Sequence, residues 1–184
     1  MRILHTADIH LGSSGTTGKG PSGLDFSDRA SRALKAVVVL SLKINPDLII
    51  VAGDLFDSNQ VDAATVDFAL NELSGTGVPM VILPGNHDCL LPDSVYGQAC
   101  FSKRPANIRV FTIEEGQSFQ FPDLDLVVWG RPIISYGGDL RPLTNIPPRG
   151  EERWHVAVAH GHYTTVEARS MRSFPIYEDD VAKS

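Results

Sequence analysis

Four short runs of mostly apolar residues each end in a cluster of polar side chains. The runs, with the polar residues that follow them, are Ile3–Ala7 with Asp8 and His10, Leu48–Ala52 with Asp54 and Asp57, Met80–Leu83 with Asn86, His87 and Asp88, and Val156–Ala159 with His160. Short continuous apolar runs are typical of buried strands. Ligands of open α/β sheets lie beyond the carboxyl ends of the strands. We therefore expect these polar side chains to meet at one edge and to form a multinuclear metal site.

The pattern over the first half predicts the order β-α-β-α-β. The predicted elements are a strand over Arg2–Thr6, a glycine-rich loop over Gly12–Asp25, a helix from its cap Ser27 to Leu42, a strand after Pro46, a helix over Asp62–Ser74 ended by Gly75, and a strand over Pro79–Leu83. The predicted buried positions of the helices are Ala30, Ala33, Leu34, Val37 and Val38 in the first, and Val66, Phe68, Leu70 and Leu73 in the second. Helical crossovers predict parallel neighbouring strands.

The pattern changes after Asn107. Short apolar runs at Ile108–Ile113, Ser118–Phe121 and Leu124–Trp129 are separated by turn residues, which predicts antiparallel strands. The segment Arg131–Arg153 is rich in Pro and Gly and is predicted to be a long irregular loop.

The residues at the strand ends have the chemistry of a divalent metal site. Asp8 and His10 are two positions apart, so an extended strand end points both side chains to the same side. Carboxylate together with imidazole suits Mn²⁺, Fe²⁺ or Zn²⁺ better than Ca²⁺. Asp54 has two oxygens with which to bridge two ions, while Asn86 offers a carbonyl oxygen and His160 a further imidazole. Two ions about 3.5–4 Å apart would activate a water and clamp the attacking and leaving oxygens of a phosphoryl group.

Other polar residues of the motifs have different predicted roles. An imidazole held by a carboxylate can act as a general acid, which is the role expected for His87 with Asp88 beside it. Asp57 is expected to orient a metal ligand or to bind backbone amides. His5 should point away from Asp8 and be buried, so it is left out of the site.

The ordered set resembles the signature of the calcineurin-like metallophosphoesterases. It consists of Asp8-x-His10, Gly53-Asp54-x-x-Asp57, Gly85-Asn86-His87-Asp88 and the later His160. The opening residues 3–12 and the segment 53–58 are most similar to the DNA-repair exonuclease branch, whose nuclease subunit partners a coiled-coil ABC-type ATPase. The resemblance implies an α/β fold (α+β by some schemes), a four-layer αββα sandwich of two mixed sheets flanked by helices. It also implies one metal on Asp8, His10 and Asp54, a second on Asp54, Asn86 and His160, and a leaving-group role for His87.

The chain departs from this pattern near its end. The family closes its site with a Gly-His-x-His motif, whereas Gly161-His162-Tyr163-Thr164 has only the first of those imidazoles. We expect the closing motif to lie beyond Ser184, which makes residues 1–184 a single domain that is incomplete at its C-terminus. His162 is the one candidate ligand within the chain that could replace the closing motif.

Composition limits the remaining choices. The chain has 184 residues, 42% of them hydrophobic and 21% charged, which suits one globular domain. No signal peptide or spanning segment is recognisable, so a cytoplasmic location without a membrane partner is expected. Cys89 should be a buried, inert thiol.

The charge distribution leaves two interpretations open. The net charge of −6 argues against a surface that coats nucleic acid, but not against a nuclease whose metal ions supply local positive charge. Basic residues are frequent in the second half of the chain and form either a solvated face or a rim that steers phosphates. They include Arg131, Arg141, Arg149, Arg153, Arg169 and Arg172.

Three functions therefore remain. The first is a phosphoesterase that uses two divalent ions, Mn²⁺ above Fe²⁺, Zn²⁺ or Co²⁺, to hydrolyse phosphodiesters, with DNA among the possible substrates. The second is a phosphodiesterase or phosphatase of the same fold that acts on a small molecule. The third is a non-catalytic remnant or scaffold with an incomplete metal site.

Overall fold

The computed structural model of this chain describes residues 1–13, 26–165 and 174–184. In chain order its helices and strands are β1 (Ile3–Thr6), α1 (Phe26–Ile44), β2 (Leu48–Ala52), α2 (Ala63–Ser74), β3 (Met80–Leu83), β4 (Ile108–Val110), β5 (Gln117–Phe121), β6 (Leu126–Gly130), β7 (Trp154–Val158), β8 (His162–Thr164), β9 (Pro175–Tyr177) and α3 (Glu178–Lys183). Most of the predicted glycine-rich loop, together with Arg169 and Arg172, lies outside the described residues.

The first sheet has the strand order β1-β2-β3-β4, and all its pairings are parallel. The parallel pairing of the first three strands confirms the β-α-β-α-β prediction. The expectation that the run at Ile108–Ile113 forms an antiparallel strand was wrong, since β4 pairs parallel with β3. The reason is that residues 84–107, which include two short 3₁₀ turns at Val95–Gly97 and Phe101–Lys103, form a crossover from β3 to β4. Such a crossover lets the two strands run in the same direction.

The second sheet has the order β5-β6-β7 and is mixed. Strands β5 and β6 pair antiparallel, as predicted, whereas β6 and β7 pair parallel. Strands β8 and β9 form a separate parallel pair, and α3 follows β9 directly. The expected α/β sandwich is confirmed, although within the described residues only the second sheet is mixed and the first is wholly parallel.

The two faces of the first sheet bury different partners. Ile49, Val51, Met80 and Ile82 point to one face, where they pack with α1 and α2 through side chains such as Leu34 and Leu73. The opposite face packs against the second sheet through Ile50, Val81, Leu83, Leu126 and Val128. Burial of β2 and β3 on both faces explains their continuous apolar sequences.

The predicted helices form with two local differences. Helix α1 begins at Phe26, so Ser27, the predicted cap, lies within its first turn. Ala33 is exposed, because the buried line along α1 follows Ala30, Leu34 and Val38. Helix α2 ends at Gly75 as predicted, and its N-cap is Asp62, whose side chain accepts the Thr65 N–H at 2.8 Å.

The segment Arg131–Arg153 has neither helix nor strand, as predicted. It begins directly after β6, and its Ile133 packs into a small apolar cluster with Cys89 and Phe174. Among the described residues, no helix is long and apolar enough to cross a membrane.

Candidate metal centre

The loops after β1 and β2 are held side by side by backbone hydrogen bonds that extend the parallel pairing beyond the strands. The N–H of Asp8 donates to Gly53 O at 3.1 Å, and the N–H of His10 donates to Asp54 O at 3.0 Å. Leu11 and Phe56 form a further isolated bridge. Two motifs about 45 residues apart in sequence therefore lie next to each other.

Three of the predicted metal ligands have left-handed backbone conformations. The φ angles are 55° at Asp8, 55° at His10 and 53° at Asp54. Such conformations are unfavourable for residues other than glycine by about 1–3 kcal/mol each, and they persist where the surrounding structure enforces them. Their concentration at one sheet edge indicates that this edge is built for function.

Asp54 is the centre of the cluster and is 2% exposed. Its Oδ1 accepts a hydrogen bond from the His87 N–H at 2.9 Å. Its Oδ2 lies 3.4 Å from His160 Nε2 and 3.8 Å from His10 Nε2. One oxygen atom thus faces imidazoles from two different loops, which is the position a carboxylate needs in order to bridge two cations.

Two motif glycines make room for this arrangement. A β-carbon at Gly53, whose φ is 94°, would overlap the imidazole of His160. A β-carbon at Gly85 would overlap the Asp54 side chain and backbone N. Any larger residue at these positions must displace a candidate ligand.

The ring orientations leave the outer nitrogens of two histidines facing the cluster. His160 Nδ1 lies 2.9 Å from Ala52 O, and His160 Nε2 lies 3.1 Å from Asn86 Oδ1. His10 Nδ1 lies 3.1 Å from Asp57 Oδ1. A partner that holds the inner nitrogen as a donor fixes the tautomer and leaves Nε2 free for a metal. The orienting role of Asp57 stays a prediction, and its contact with His10 is the one through which it would act.

The described residues contain two groups of side chains whose ligand atoms all lie within 4.8 Å of one another. One group consists of Asp8, Asp54 and His160, and the other of His10, Asp57 and His87. The structure thus brings Asp8, His10, Asp54, Asn86 and His160 to one edge. The grouping differs from the one implied by the resemblance, since His10 lies with Asp57 and His87 and Asp8 lies with His160.

The electrostatics of the cluster favour a cation. Burial opposes ionisation of Asp54, but its hydrogen bonds and the neighbouring imidazoles lower its pKa below 3.8. Burial also opposes the charged form of His160, yet the hydrogen bond and the charge of Asp54 raise the pKa of His160 to about 9. Asp54 thus stays ionised and attracts positive charge, here a proton on His160.

His87 is exposed and adjoins the cluster through its N–H, which donates to Asp54. Its Nδ1 lies 2.9 Å from Asp57 O, and its ring meets that of His10 edge-on with 4.6 Å between ring centroids. The prediction that Asp88 holds this imidazole was wrong, because the Asp88 side chain points into the core.

Asp88 instead joins two motif loops. Its carboxylate is fully buried and accepts hydrogen bonds from Phe56 N at 3.1 Å, Gly85 N at 2.7 Å and Tyr96 Oη at 2.6 Å. Burial raises the pKa of Asp88 despite these donors. The contacts fix the loop after β2 against the loop after β3 and thereby set the position of Asp54 relative to Asn86.

Asn59 is a second connection of this kind that sequence patterns did not predict. It is 3% exposed, donates to Cys89 O at 2.8 Å and accepts from the Val95 N–H at 3.0 Å. Neither Asn59 nor Tyr96 belongs to a motif, and a single polar residue among apolar ones gives no periodic signal. Their importance follows from contacts with residues that lie 8 to 36 positions away in the sequence.

A cavity of about 460 Å³ adjoins the cluster. Among its lining residues are Asp8, Asn86 and His160, together with His5, His162 and Tyr136. His5 is exposed and shares this cavity with Asp8, so the expectation that it is buried and remote was wrong. His162 lies at the cavity on β8 but belongs to neither described ligand group.

Two of the basic residues considered for a phosphate rim have other partners. Arg131 donates to Glu114 O at 2.9 Å and to Thr144 Oγ1 at 2.8 Å. Arg141 pairs with Asp180 and lies over the Tyr177 ring. The described lining of the cavity contains neither Lys nor Arg. For Arg131 and Arg141, these observations favour a solvated face over a rim that steers phosphates.

Comparison with known proteins adds family evidence. The family model described as calcineurin-like phosphoesterase matches residues 1–182. The chain is 35% identical over 91 residues to the DNA double-strand break repair protein Mre11 of Aeropyrum pernix, covering 47% of this chain and 21% of that protein. It is 34% identical over 116 residues to a subunit of the nuclease SbcCD of Staphylococcus saprophyticus, covering 59% of this chain and 28% of that protein.

A third relative has a different described activity. The chain is 34% identical over 88 residues to a probable cyclic nucleotide phosphodiesterase of Moraxella catarrhalis, covering 48% of this chain and 27% of that protein. The matches therefore span between about a fifth and about three tenths of the length of these relatives.

Proposed function

Because this chain belongs to the calcineurin-like phosphoesterase family, we propose that it hydrolyses phosphodiester bonds with two divalent metal ions. The observation that carries the proposal is the position of Asp54 Oδ2 between the Nε2 atoms of His10 and His160. A buried carboxylate oxygen that faces imidazoles from two loops fits a bridge between two cations.

The remaining donors fit borderline divalent ions. As the family resemblance implies, Asp8, His10 and Asp54 would hold one ion, and Asp54, Asn86 and His160 the other, with His162 as a further candidate at the cavity. Asp8 and His10 lie in different ligand groups in the structure, so this assignment requires their side chains to move onto a shared ion. This mixture of carboxylate, amide oxygen and imidazole suits Mn²⁺, which we propose as the metal. When bound, the ions supply Lewis acidity toward phosphoryl oxygens and toward water.

We assign His87 to the leaving group. Hydrolysis forms a P–O bond from water and breaks the P–O bond to the departing alcohol, so water loses a proton and the departing oxygen gains one. His87 is exposed beside the cluster, and its Nδ1 is fixed by Asp57 O, which leaves Nε2 as the atom that can donate. Asp57 orients His10 through its carboxylate and His87 through its carbonyl.

DNA is the substrate class that we propose first. Support comes from the similarity to a DNA double-strand break repair protein and to a nuclease subunit. The second of these relatives is a subunit of a nuclease, and the DNA-repair branch that the sequence resembles pairs its nuclease subunit with a coiled-coil ABC-type ATPase. We therefore extend the proposal to assembly with such an ATPase subunit. The proposal includes a cytoplasmic location, to which the unpaired Cys89 and Cys100 are suited.

A second candidate is hydrolysis of a small nucleotide phosphodiester. The similarity to a probable cyclic nucleotide phosphodiesterase favours it. The cavity beside the cluster also has room for a group of nucleotide size.

The test is hydrolysis with and without Mn²⁺. We expect Mn²⁺-dependent cleavage of bis(p-nitrophenyl) phosphate that Asp54→Asn abolishes. End-labelled single-stranded DNA and 2′,3′-cyclic AMP, assayed in parallel, distinguish the two substrate classes. Absence of cleavage of all three substrates at saturating Mn²⁺, in a chain shown to be folded, would favour a non-catalytic scaffold.

A further inference from the structure

Tyr136 is an exposed aromatic residue beside the candidate metal centre. Its side chain lines the same cavity as Asp8, Asn86 and His160, and it is 58% exposed. An aromatic ring with this much exposure adds little to the core, since its apolar surface stays in water. What distinguishes Tyr136 is its place in this cavity, where the exposed ring is available to a bound substrate.

The tip of Tyr136 is held in place. Its hydroxyl lies 3.4 Å from Asn59 Nδ2, which donates toward it. Asn59 is itself buried and fixed to Cys89 and Val95. One end of the ring is thus tied to a rigid part of the fold while the rest faces the cavity.

The backbone before Tyr136 is also fixed to the metal loop. Leu90 N donates to Ile133 O at 2.7 Å, and Ile133 N donates to Pro84 O at 3.2 Å. Pro84 directly precedes Gly85 and Asn86, and Ile133 is fully buried. The ring is therefore positioned relative to Asn86 before any substrate binds, which lowers the entropy lost on binding.

The cavity suits a neutral planar group. Its described lining has no Lys or Arg, so it offers no permanent cation for a second phosphate. His5 and His162 offer hydrogen-bonding nitrogens, while Ala7, Ala159 and Phe174 supply apolar surface. A nucleobase has this combination of an apolar face and a polar edge.

We propose that Tyr136 is the platform on which a nucleobase of the substrate stacks, on the side of the scissile phosphate that stays with the nucleotide. The proposal rests on the proposed phosphodiesterase function and names its substrate class as nucleotide phosphodiesters. Stacking accepts any base, so Tyr136 selects for nucleotides without reading their sequence.

Two substrates with one leaving group test the proposal. Thymidine 5′-(p-nitrophenyl phosphate) and methyl p-nitrophenyl phosphate both release p-nitrophenolate and differ only in the retained group. We expect Tyr136→Ala to raise the KM for the thymidine ester about 5- to 150-fold and to leave kcat and the methyl ester unchanged. Tyr136→Phe keeps the ring and should stay within a few-fold of the wild type.

Tyr163→Ala is the matched control, because Tyr163 is similarly exposed at 57% and does not line the described cavity. An equal effect of Tyr136→Ala on both esters, or no effect on either, would overturn the proposal. A loss at Tyr163→Ala as large as that at Tyr136→Ala would overturn it as well.

A binding measurement separates this proposal from the proposed function. Calorimetric titration with thymidine 5′-monophosphate and with methyl phosphate, both in the presence of Mn²⁺, needs no turnover. If Tyr136→Ala binds thymidine 5′-monophosphate more weakly than the wild type but binds methyl phosphate equally well, the base platform is supported. This holds even if the wild type hydrolyses neither ester, because absence of hydrolysis would contradict only the proposed function. Equal binding of the nucleotide by both proteins overturns the platform.

Discussion

The imidazole of His160 lies over the backbone of Gly53, in the space that a β-carbon at residue 53 would fill. The carbonyl of Gly53 also accepts the N–H of Asp8. One glycine therefore lies at the junction of loops that follow β1, β2 and β7. The close approach brings His160 Nε2 to Asp54, although more than 100 residues separate the two in sequence.

Gly53→Ala should displace His160 and weaken Mn²⁺ binding by at least about ten-fold. Gly77→Ala is the control, because Gly77 also has a positive φ, 64°, but no other part of the described chain lies within 4 Å of the place that a β-carbon would take there. The control should lose about 1–2 kcal/mol of unfolding free energy and retain Mn²⁺ affinity. Calorimetric titration and urea denaturation measure the two effects. Equal Mn²⁺ affinity in both variants would show that the contact with His160 is unimportant for the site.

Asp54→Asn should lose more metal than Asp57→Asn. A neutral amide bridges two cations poorly, whereas loss of an orienting contact to His10 typically weakens affinity about 10- to 100-fold. Metal content per chain, measured on both variants after equilibration with limiting Mn²⁺, checks this expectation. Equal losses would reject Asp54 as the bridging residue.

His87→Ala should keep its metal and lose activity mainly on esters with basic leaving groups. A general acid matters most when the departing oxygen is a strong base, and its contribution is about 10²- to 10⁴-fold. Rates on alkyl and on activated aryl phosphodiesters measure the difference, with His155→Ala as the control, because His155 lies on β7 and belongs neither to the described cavity lining nor to either described ligand group. The same loss on every ester would indicate that His87 stabilises the phosphoryl oxygens instead.

Cys89 should resist alkylation at pH 8 and become reactive as the pH rises. Burial, together with the nearby Asp88 charge, raises the pKa of Cys89 to about 11. Only about a thousandth of the thiol is ionised at pH 8, and this fraction grows about ten-fold for each pH unit up to 10. Timed iodoacetamide labelling followed by peptide mass mapping checks this, with the less buried Cys100 as the internal comparison. Labelling of Cys89 at pH 8 as fast as that of Cys100 would contradict the expectation.

His162→Ala tests whether the imidazole on β8 binds metal. His162 lies at the cavity with Asp8 and His160. If it is a ligand, the variant should bind Mn²⁺ about ten-fold or more weakly than the wild type in a calorimetric titration. His155→Ala, which removes an imidazole from β7, is the control. Unchanged affinity would indicate that His162 is not a ligand. The proposed ligands would then be Asp8, His10, Asp54, Asn86 and His160.

Sequence patterns could predict the strands β1, β2 and β3, both long helices and the edge at which the motif residues meet. These features depend on local properties, namely continuous apolar runs, the apolar periodicity of the helices and polar residues at strand ends. Parallel pairing follows from the helical crossovers, which are themselves visible in the sequence. The approach of Asp8, Asp54 and Asn86 could therefore be predicted from the order of these elements, whereas His160 follows β7 of the second sheet and reaches them through the packing of the two sheets.

Contacts between distant segments decided the rest. The direction of β4 depends on the connection that precedes it. Ala33 is exposed because only a narrow line of α1 side chains contacts the sheet. The partner of His87 is Asp57 O because the Asp88 carboxylate binds three donors inside the core. Asn59, Tyr96 and Tyr136 carry no periodic or motif signal, since a single polar or aromatic residue acquires its role only from the surface that it meets. The sequence alone thus determined which chemistry gathers at the sheet edge, whereas only the tertiary structure decided how each side chain there is held.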